Sequence, residues 1–187
     1  MFEFITLGMV LHEELTGYDI KKKIEAGIGN FYKASHGSLY PALKKLTDKD
    51  FLSKTEQTQG NRQKKYYKAT ESGKAAFLEW LSSPYDINTG DEVHLAQVYF
   101  FGELPEELRI KRLKEHEFYL QQMLQQLQII EKQLPTENIS DKDYFELSTF
   151  YFSYQILQNT IRWLEYIREQ KPLSNFIGEI CRVEDLK

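Results

Sequence analysis

The chain has 187 residues, of which 24 are Lys or Arg and 28 are Asp or Glu, and 41% of them are hydrophobic. This length suits one domain or two small ones, and the abundant Phe and Tyr provide material for a core, which argues against disorder. A single Cys excludes a disulfide framework and a multi-cysteine metal site. With no basic leader and no stretch near the roughly 18 apolar residues of a membrane span, we expect a soluble cytoplasmic protein.

Charge is divided unevenly along the chain. Residues 1–80 contain 13 Lys or Arg against 10 Asp or Glu, whereas residues 81–187 contain 11 against 18. The basic excess is strongest in residues 54–68, where five cations accompany Glu56 alone. Such an asymmetry indicates that the first half meets a polyanion, although a solvated basic hairpin would have the same composition.

Two helices are predicted at the start of the chain. Residues 2–13 form an apolar run long enough for a short, mostly buried helix. Thr16-Gly17-Tyr18-Asp19 is a capping sequence that begins a second helix, in which the Thr16 side chain accepts from a first-turn amide. The Gly27–Asn30 segment predicts the end of that helix.

A third helix is predicted within residues 35–50, with Ser35 favoured over Ser38 as its cap. Its leucines recur at spacings of four and three and therefore share one face: Leu39, Leu43 and Leu46. The opposite face, at 100° per residue, is small, polar and cationic: Gly37, Pro41, Lys44 and Asp48. An apolar back and a polar front are what a helix docked in a DNA groove needs.

Two strands and a fourth helix complete the predicted N-terminal domain, residues 1–82. Residues 51–58 and 63–70 favour β structure around a tip at residues 59–62, where Gly and Asn tolerate a tight turn. A helix follows from Thr70 and ends near Leu81. Three helices, a hairpin and a helix are the order of a winged helix-turn-helix.

Residues 83–90 are turn-prone and predict a linker to an α-helical domain, residues 91–187. The predicted helix at 105–134 has apolar residues at heptad spacing, which we interpret as a dimerisation seam: Leu113, Leu120, Met123, Leu127 and Ile130. Packing inside its own domain would explain the same pattern. A further helix from Ser140 to Pro172 carries six aromatic residues within 144–154, more than one helix can bury against itself. The predicted fold is thus mainly α with a small two-stranded β wing.

Three segments together resemble the PadR family of transcriptional regulators. They are Gly17-Tyr18-Asp19-Ile20, the third-helix run from His36 to Leu46 with its Tyr40-Pro41-Ala42-Leu43 core, and Tyr67-Lys68-Ala69-Thr70-Glu71-Ser72-Gly73-Lys74. The likeness covers residues 1–82 in detail, and the second half resembles the larger members by pattern alone. Asp50 stands where the family commonly has a helix-ending Gly, and Asp tolerates the left-handed conformation at modest cost.

The resemblance implies a homodimeric repressor that binds a pseudo-palindromic DNA operator and is released by a small aromatic effector. Residue type and position, together with the resemblance, select ten candidates for DNA contact: Tyr18, Ser35, His36, Gly37, Ser38, Tyr40, Lys44, Asn61, Arg62 and Lys64. Lys44 can meet a guanine edge or a phosphate, and we favour the phosphate. Tyr40 can instead be a packing residue, and Ser35, Gly37 and Ser38 can serve the helix start alone.

No enzyme, cofactor or metal site is predicted. The sequence contains no nucleophile–base pair, no Gly-rich phosphate loop and no paired-carboxylate motif, and the four His and one Cys show no ligand spacing. The alternative function is a ligand-sensing or protein-docking module whose winged helix does not bind DNA. The basic tip of the predicted wing argues against that alternative.

Overall fold

The computed structural model describes residues 1–30, 32, 36–59, 62–86, 91–135, 137 and 139–180, without the side chains of residues 36, 59, 62, 91–93 and 177–180. The elements, in chain order, are α1 (Phe2–Met9), β1 (Leu15–Thr16), α2 (Gly17–Gly27), α3 (His36–Asp48), β2 (Leu52–Gln59), β3 (Arg62–Ala69), α4 (Glu71–Leu81), α5 (Asp91–Phe100), α6 (Glu106–Glu131), α7 (Asp141–Arg168) and α8 (Leu173–Ile180). The described chain divides into two compact units, Met1–Arg109 and Ile110–Lys187.

The first unit contains the predicted winged helix-turn-helix, and the mainly α fold class is confirmed. Its sheet has one strand more than predicted, because β1 pairs with β3 to give the antiparallel order β1-β3-β2. Leu15 lies opposite Tyr67, and Thr16 lies opposite Tyr66. A strand of two residues is too short to show the alternation by which strands are recognised in a sequence.

Helices α2, α4 and α7 begin where the sequence predicts, and each has a side-chain cap, of which the one at Thr16 was predicted. Thr16 Oγ1 accepts from the amide of Asp19 at 3.2 Å, and Thr70 Oγ1 accepts from the amide of Gly73 at 3.0 Å. Ser140 Oγ accepts from the amide of Asp143 at 3.2 Å. Each cap satisfies a first-turn donor that has no partner within its own helix.

Asp50 adopts the left-handed conformation, with φ at 56°. Its carbonyl oxygen accepts from the hydroxyls of Thr70 and Ser72 at 2.6 and 2.9 Å. These bonds connect the end of α3 to the start of α4. The predicted tolerance of Asp at this position is therefore confirmed.

The leucine stripe of α3 faces the core of the first unit. Leu39, Leu43 and Leu46 are almost completely buried, as their spacing predicts. The same core includes Phe77 of α4 and Phe100 of α5, whose rings meet edge to face with centroids 5.2 Å apart. Burial on one side of α3 directs its opposite side to solvent.

Helix α5 belongs to the compact unit that contains the winged helix. Ala96 is completely buried and Phe100 nearly so, both within the core of that unit. Gly8 of α1 lies so close to Phe100 that an added Cβ would stand 2.6 Å from its ring. The predicted domains, residues 1–82 and 91–187, concern which segments fold independently of each other. That division stays a prediction.

The second unit consists of most of α6 together with α7 and α8. Leu157, Ile161 and Leu164 of α7 are buried, and Arg168 Nε donates to Glu117 Oε2 of α6 at 2.9 Å. Helix α6 ends at Glu131, three residues before the predicted end at Leu134, and α8 follows Pro172 as a helix for which no prediction was made.

The predicted seam of α6 divides into a buried part and an exposed part. Leu113 and Leu120 are buried within their own chain, Leu127 is half-buried, and Met123 and Ile130 are exposed. The N-terminal part of the heptad pattern therefore serves the packing of the single chain. The remaining part is available to another molecule.

Candidate nucleic-acid interface

Helix α3 exposes the face opposite its leucine stripe. Gly37, Tyr40, Pro41 and Lys44 are exposed, and Ser38 is half-buried inside the first turn rather than capping the helix. The angular arrangement predicted from the sequence is confirmed. This face presents the hydroxyl of Tyr40 and the ammonium group of Lys44. At Gly37, which has no side chain, the backbone itself is exposed.

Four of the predicted DNA contacts cannot be placed as side chains. Ser35 and Asn61 lie outside the described residues, and only the backbones of His36, at the start of α3, and Arg62, at the start of β3, are described. The remaining six belong to three elements of the first unit: Tyr18 to α2, Gly37, Ser38, Tyr40 and Lys44 to α3, and Lys64 to β3.

The wing consists of β2 and β3 in antiparallel register. Lys64 lies opposite Gln57, and Lys65 lies opposite Glu56. Glu56 is shared between Lys54 at 3.2 Å and Lys65 at 3.9 Å. One carboxylate among these cations leaves the described wing with an excess of positive charge.

A groove of about 550 Å³ lies between α2, α3 and the wing. Its residues come from all three elements: Thr16, Gly17, Tyr18, Asp19, Tyr40, Gln63, Lys64, Lys65 and Tyr67. Three predicted DNA contacts, Tyr18, Tyr40 and Lys64, therefore meet in one place, whereas Lys44 does not line the groove. Gly17 stands close to Tyr40, since an added Cβ would lie 3.3 Å from Tyr40 Cε1.

Tyr67 is a groove residue that the sequence analysis did not select. Its side chain is only 7% exposed, and burial raises the pKa of its hydroxyl above the ordinary value, a rise that the nearby Lys54 opposes. The available signal was the alternation of β3, which puts Gln63, Lys65 and Tyr67 on one face. In the sequence, Tyr67 stands out only as the first residue of the Tyr67–Lys74 segment that resembles the family.

The described residues provide neither a metal site nor a membrane span. No group of three or more His, Cys, Asp and Glu side chains is arranged to hold a metal ion within those residues. None of the helices in the described part of the chain is long and apolar enough to cross a membrane.

The N-terminal segment matches a known protein family. Residues 6–79 match the model of the family described as "Transcriptional regulator PadR-like family". This segment contains β1, α2, α3 and both strands of the wing, together with the second half of α1 and most of α4. All the candidate DNA contacts named above lie within it.

Individual proteins show the same similarity. "Negative transcriptional regulator PadR" of Bacillus subtilis (strain 168) is 36% identical over 105 residues, which are 54% of this chain and 57% of that protein, so less than two thirds of its length is matched. The crystal structure of Bacillus subtilis PadR in complex with operator DNA is 29% identical, with a TM-score of 0.44, over 90% of this chain and 98% of that one. The crystal structure of the same protein in complex with p-coumaric acid has a TM-score of 0.41, with 29% identity over 90% and 97%.

Proposed function

We propose that this chain, whose residues 6–79 belong to the PadR-like family of transcriptional regulators, is a homodimeric repressor that binds a pseudo-palindromic DNA operator. The observation that carries the proposal is the surface on which the polar face of α3 lies beside a basic wing. Repression is favoured over activation because the similar Bacillus subtilis protein is named a negative regulator.

In the proposed complex, α3 enters the major groove and the wing follows the neighbouring phosphate backbone. The exposed face of α3 presents the Tyr40 ring with its hydroxyl and the Lys44 ammonium, and Lys44 stands where it can reach a phosphate or a guanine edge. The cations of the wing supply attraction that does not depend on sequence. Tyr18 and Tyr40 line the groove between α2, α3 and the wing, and their hydroxyls can donate to phosphate oxygens.

The proposed homodimer forms through the second unit. This unit exposes many large apolar side chains on α6 and α7: Phe118, Met123, Ile129, Ile130, Tyr144, Phe145, Tyr151, Phe152 and Ile156. Soluble monomers rarely leave large apolar patches in water, and this many exposed apolar side chains on two helices are typical of an interaction surface. A second copy of the chain is the proposed partner, because the heptad spacing of α6 continues through Met123 and Ile130 into this exposed part. Two bound α3 helices would then read half-sites about 10 base pairs apart, or a multiple of that spacing.

The decisive experiment is duplex binding by the purified chain at increasing salt concentrations. We expect the upstream region of its own gene to be bound more tightly than an unrelated duplex of equal length. The double variant with Arg62→Ala and Lys64→Ala should lower the slope of log K against log salt by about 0.9 for each phosphate that is no longer neutralised.

Lys111→Ala is the matched control, since Lys111 is exposed on α6 and should leave the slope unchanged. An unchanged slope in the double variant would remove the wing from the interface. A chain that binds neither duplex even at low salt would contradict DNA binding and favour the docking module instead.

A further inference from the structure

The groove between α2, α3 and the wing contains a hydroxyl group without an assigned role. Tyr67 lines this groove and is 93% buried, being 7% exposed. Its oxygen has no hydrogen-bond partner among the described residues. In the described part of the chain, every side-chain oxygen or nitrogen that is fully shielded from solvent does have a partner, so the Tyr67 oxygen is not fully shielded. The oxygen is therefore reached by solvent, and the open space beside Tyr67 is the groove.

We propose that this groove binds one phosphate group of the DNA backbone and that the Tyr67 hydroxyl donates a hydrogen bond to it. The proposal rests on the proposed function, which puts α3 in the major groove and the wing against the adjoining backbone. The DNA strand whose backbone separates the major groove from the minor groove then passes between α3 and the wing. The protein groove lies at that place. Tyr67 becomes a positioning contact that fixes the depth of α3.

The other walls of the groove are suited to an anion. The first-turn amides of a helix point out of its N-terminus, and the helix dipole favours negative charge there. The amide of Asp19 donates to Thr16 Oγ1. The two residues between them, Gly17 and Tyr18, line the groove. Lys64 and Lys65 line the groove, and Lys65 is also 3.9 Å from the carboxylate that Glu56 shares with Lys54. Asp19 is the acidic residue of the groove lining, and its Oδ2 already accepts from Thr16 at 2.6 Å.

The position of Tyr67 suits a donor of fixed direction. Tyr67 lies on β3, the middle strand of the sheet, opposite Leu15 of β1 and Lys54 of β2. Its backbone is therefore held by strands on both sides. Because burial raises the pKa of the hydroxyl, the group keeps its proton throughout the neutral range and can donate. A buried ring also has little conformational entropy left to lose on binding.

Tyr67→Phe tests the hydroxyl alone, because the ring and its packing are kept. The probe is a fluorescent duplex of arbitrary sequence, about 30 base pairs long, since a phosphate contact does not depend on the operator. We expect affinity to fall about tenfold with no change in the salt slope, since the missing donor carries no charge. The melting temperature of the variant should equal that of the unchanged protein.

Tyr99→Phe is the matched control, since Tyr99 is exposed on α5, does not line the groove and is not among the candidate DNA contacts, so this variant should bind as the unchanged chain does. Equal binding by the Tyr67→Phe variant would overturn the phosphate site while leaving the proposed function intact. Failure of the unchanged chain to bind the duplex would instead contradict the proposed function.

Gln63→Glu provides a second test that leaves the packing of Tyr67 untouched. Gln63 is exposed on the groove wall, so a carboxylate there would repel the phosphate. Gln125→Glu adds the same charge at an exposed position of α6 and controls for net charge. We expect only Gln63→Glu to weaken binding by about tenfold or more, and equal effects of both variants would overturn the proposal.

Discussion

At the scale of single residues, Asp50 is a non-glycine residue in the left-handed backbone conformation, which is unfavourable for it. Its φ of 56° lies in a region that glycine occupies freely and other residues occupy at a cost. Asp50→Gly should therefore raise the free energy of unfolding by about 0.5–1 kcal/mol. The bonds from Thr70 and Ser72 persist in the variant because they end on the backbone oxygen of residue 50. Denaturant unfolding followed by circular dichroism measures the difference.

Asp48→Gly is the companion variant, two residues earlier and still within α3. There glycine only adds freedom to the unfolded chain, so we expect stability to fall by up to about 1 kcal/mol. Destabilisation by both variants would show that the turn needs the Asp50 side chain rather than its backbone conformation.

At the scale of helices, the exposed parts of α6 and α7 are where dimerisation can be tested. Ile130 is 45% exposed and Phe152 is 67% exposed, so a charge at either position does not enter the core of the single chain. Ile130→Lys and Phe152→Lys should convert the proposed dimer to a folded monomer, because each would bury an unpaired ammonium in the interface. Light scattering after size-exclusion chromatography measures the mass.

The control for these variants is Leu78→Lys on α4, which is exposed to a similar degree in the first unit and should leave the mass unchanged. A change at Leu120 would be uninformative, because Leu120 is buried in its own chain and its replacement would unfold the second unit. A dimer that survives both the Ile130 and Phe152 variants would place the interface on another face.

At the scale of the whole molecule, the remaining proposal is release of DNA by a small aromatic compound, which the family resemblance implies. Such an effector must bind the free protein more tightly than the DNA complex, because coupling between two sites is reciprocal. We therefore expect a true effector to raise the melting temperature of the free protein and to weaken its binding of duplex DNA. A thermal-shift screen of aromatic acids and planar cations, repeated with duplex present, makes the measurement.

Compounds that stabilise the free protein without weakening DNA binding would be ligands but not inducers. If no aromatic compound shifts the melting temperature, regulation by an aromatic effector is contradicted. Neither result would alter the expectation that the first unit binds DNA.

The local elements of both units follow directly from the sequence. Caps at Thr16, Thr70 and Ser140, the stripe of Leu39, Leu43 and Leu46, and the alternation of the two long strands depend on residues a few positions apart. Such signals can be read without knowing the fold, because the helix and strand periods alone produce them. The exposed face of α3 was predictable for the same reason.

Only the tertiary structure decided which distant residues share a site or a core. The pairing of β1 with β3 joins residues about 50 positions apart, and it creates the groove where Tyr18, Tyr40, Lys64 and Tyr67 meet. Likewise, the heptads of α6 predicted a seam but not that Leu113 and Leu120 are covered by their own chain while Met123 and Ile130 are left exposed. Periodicity states which residues face one way, whereas what they face depends on long-range packing.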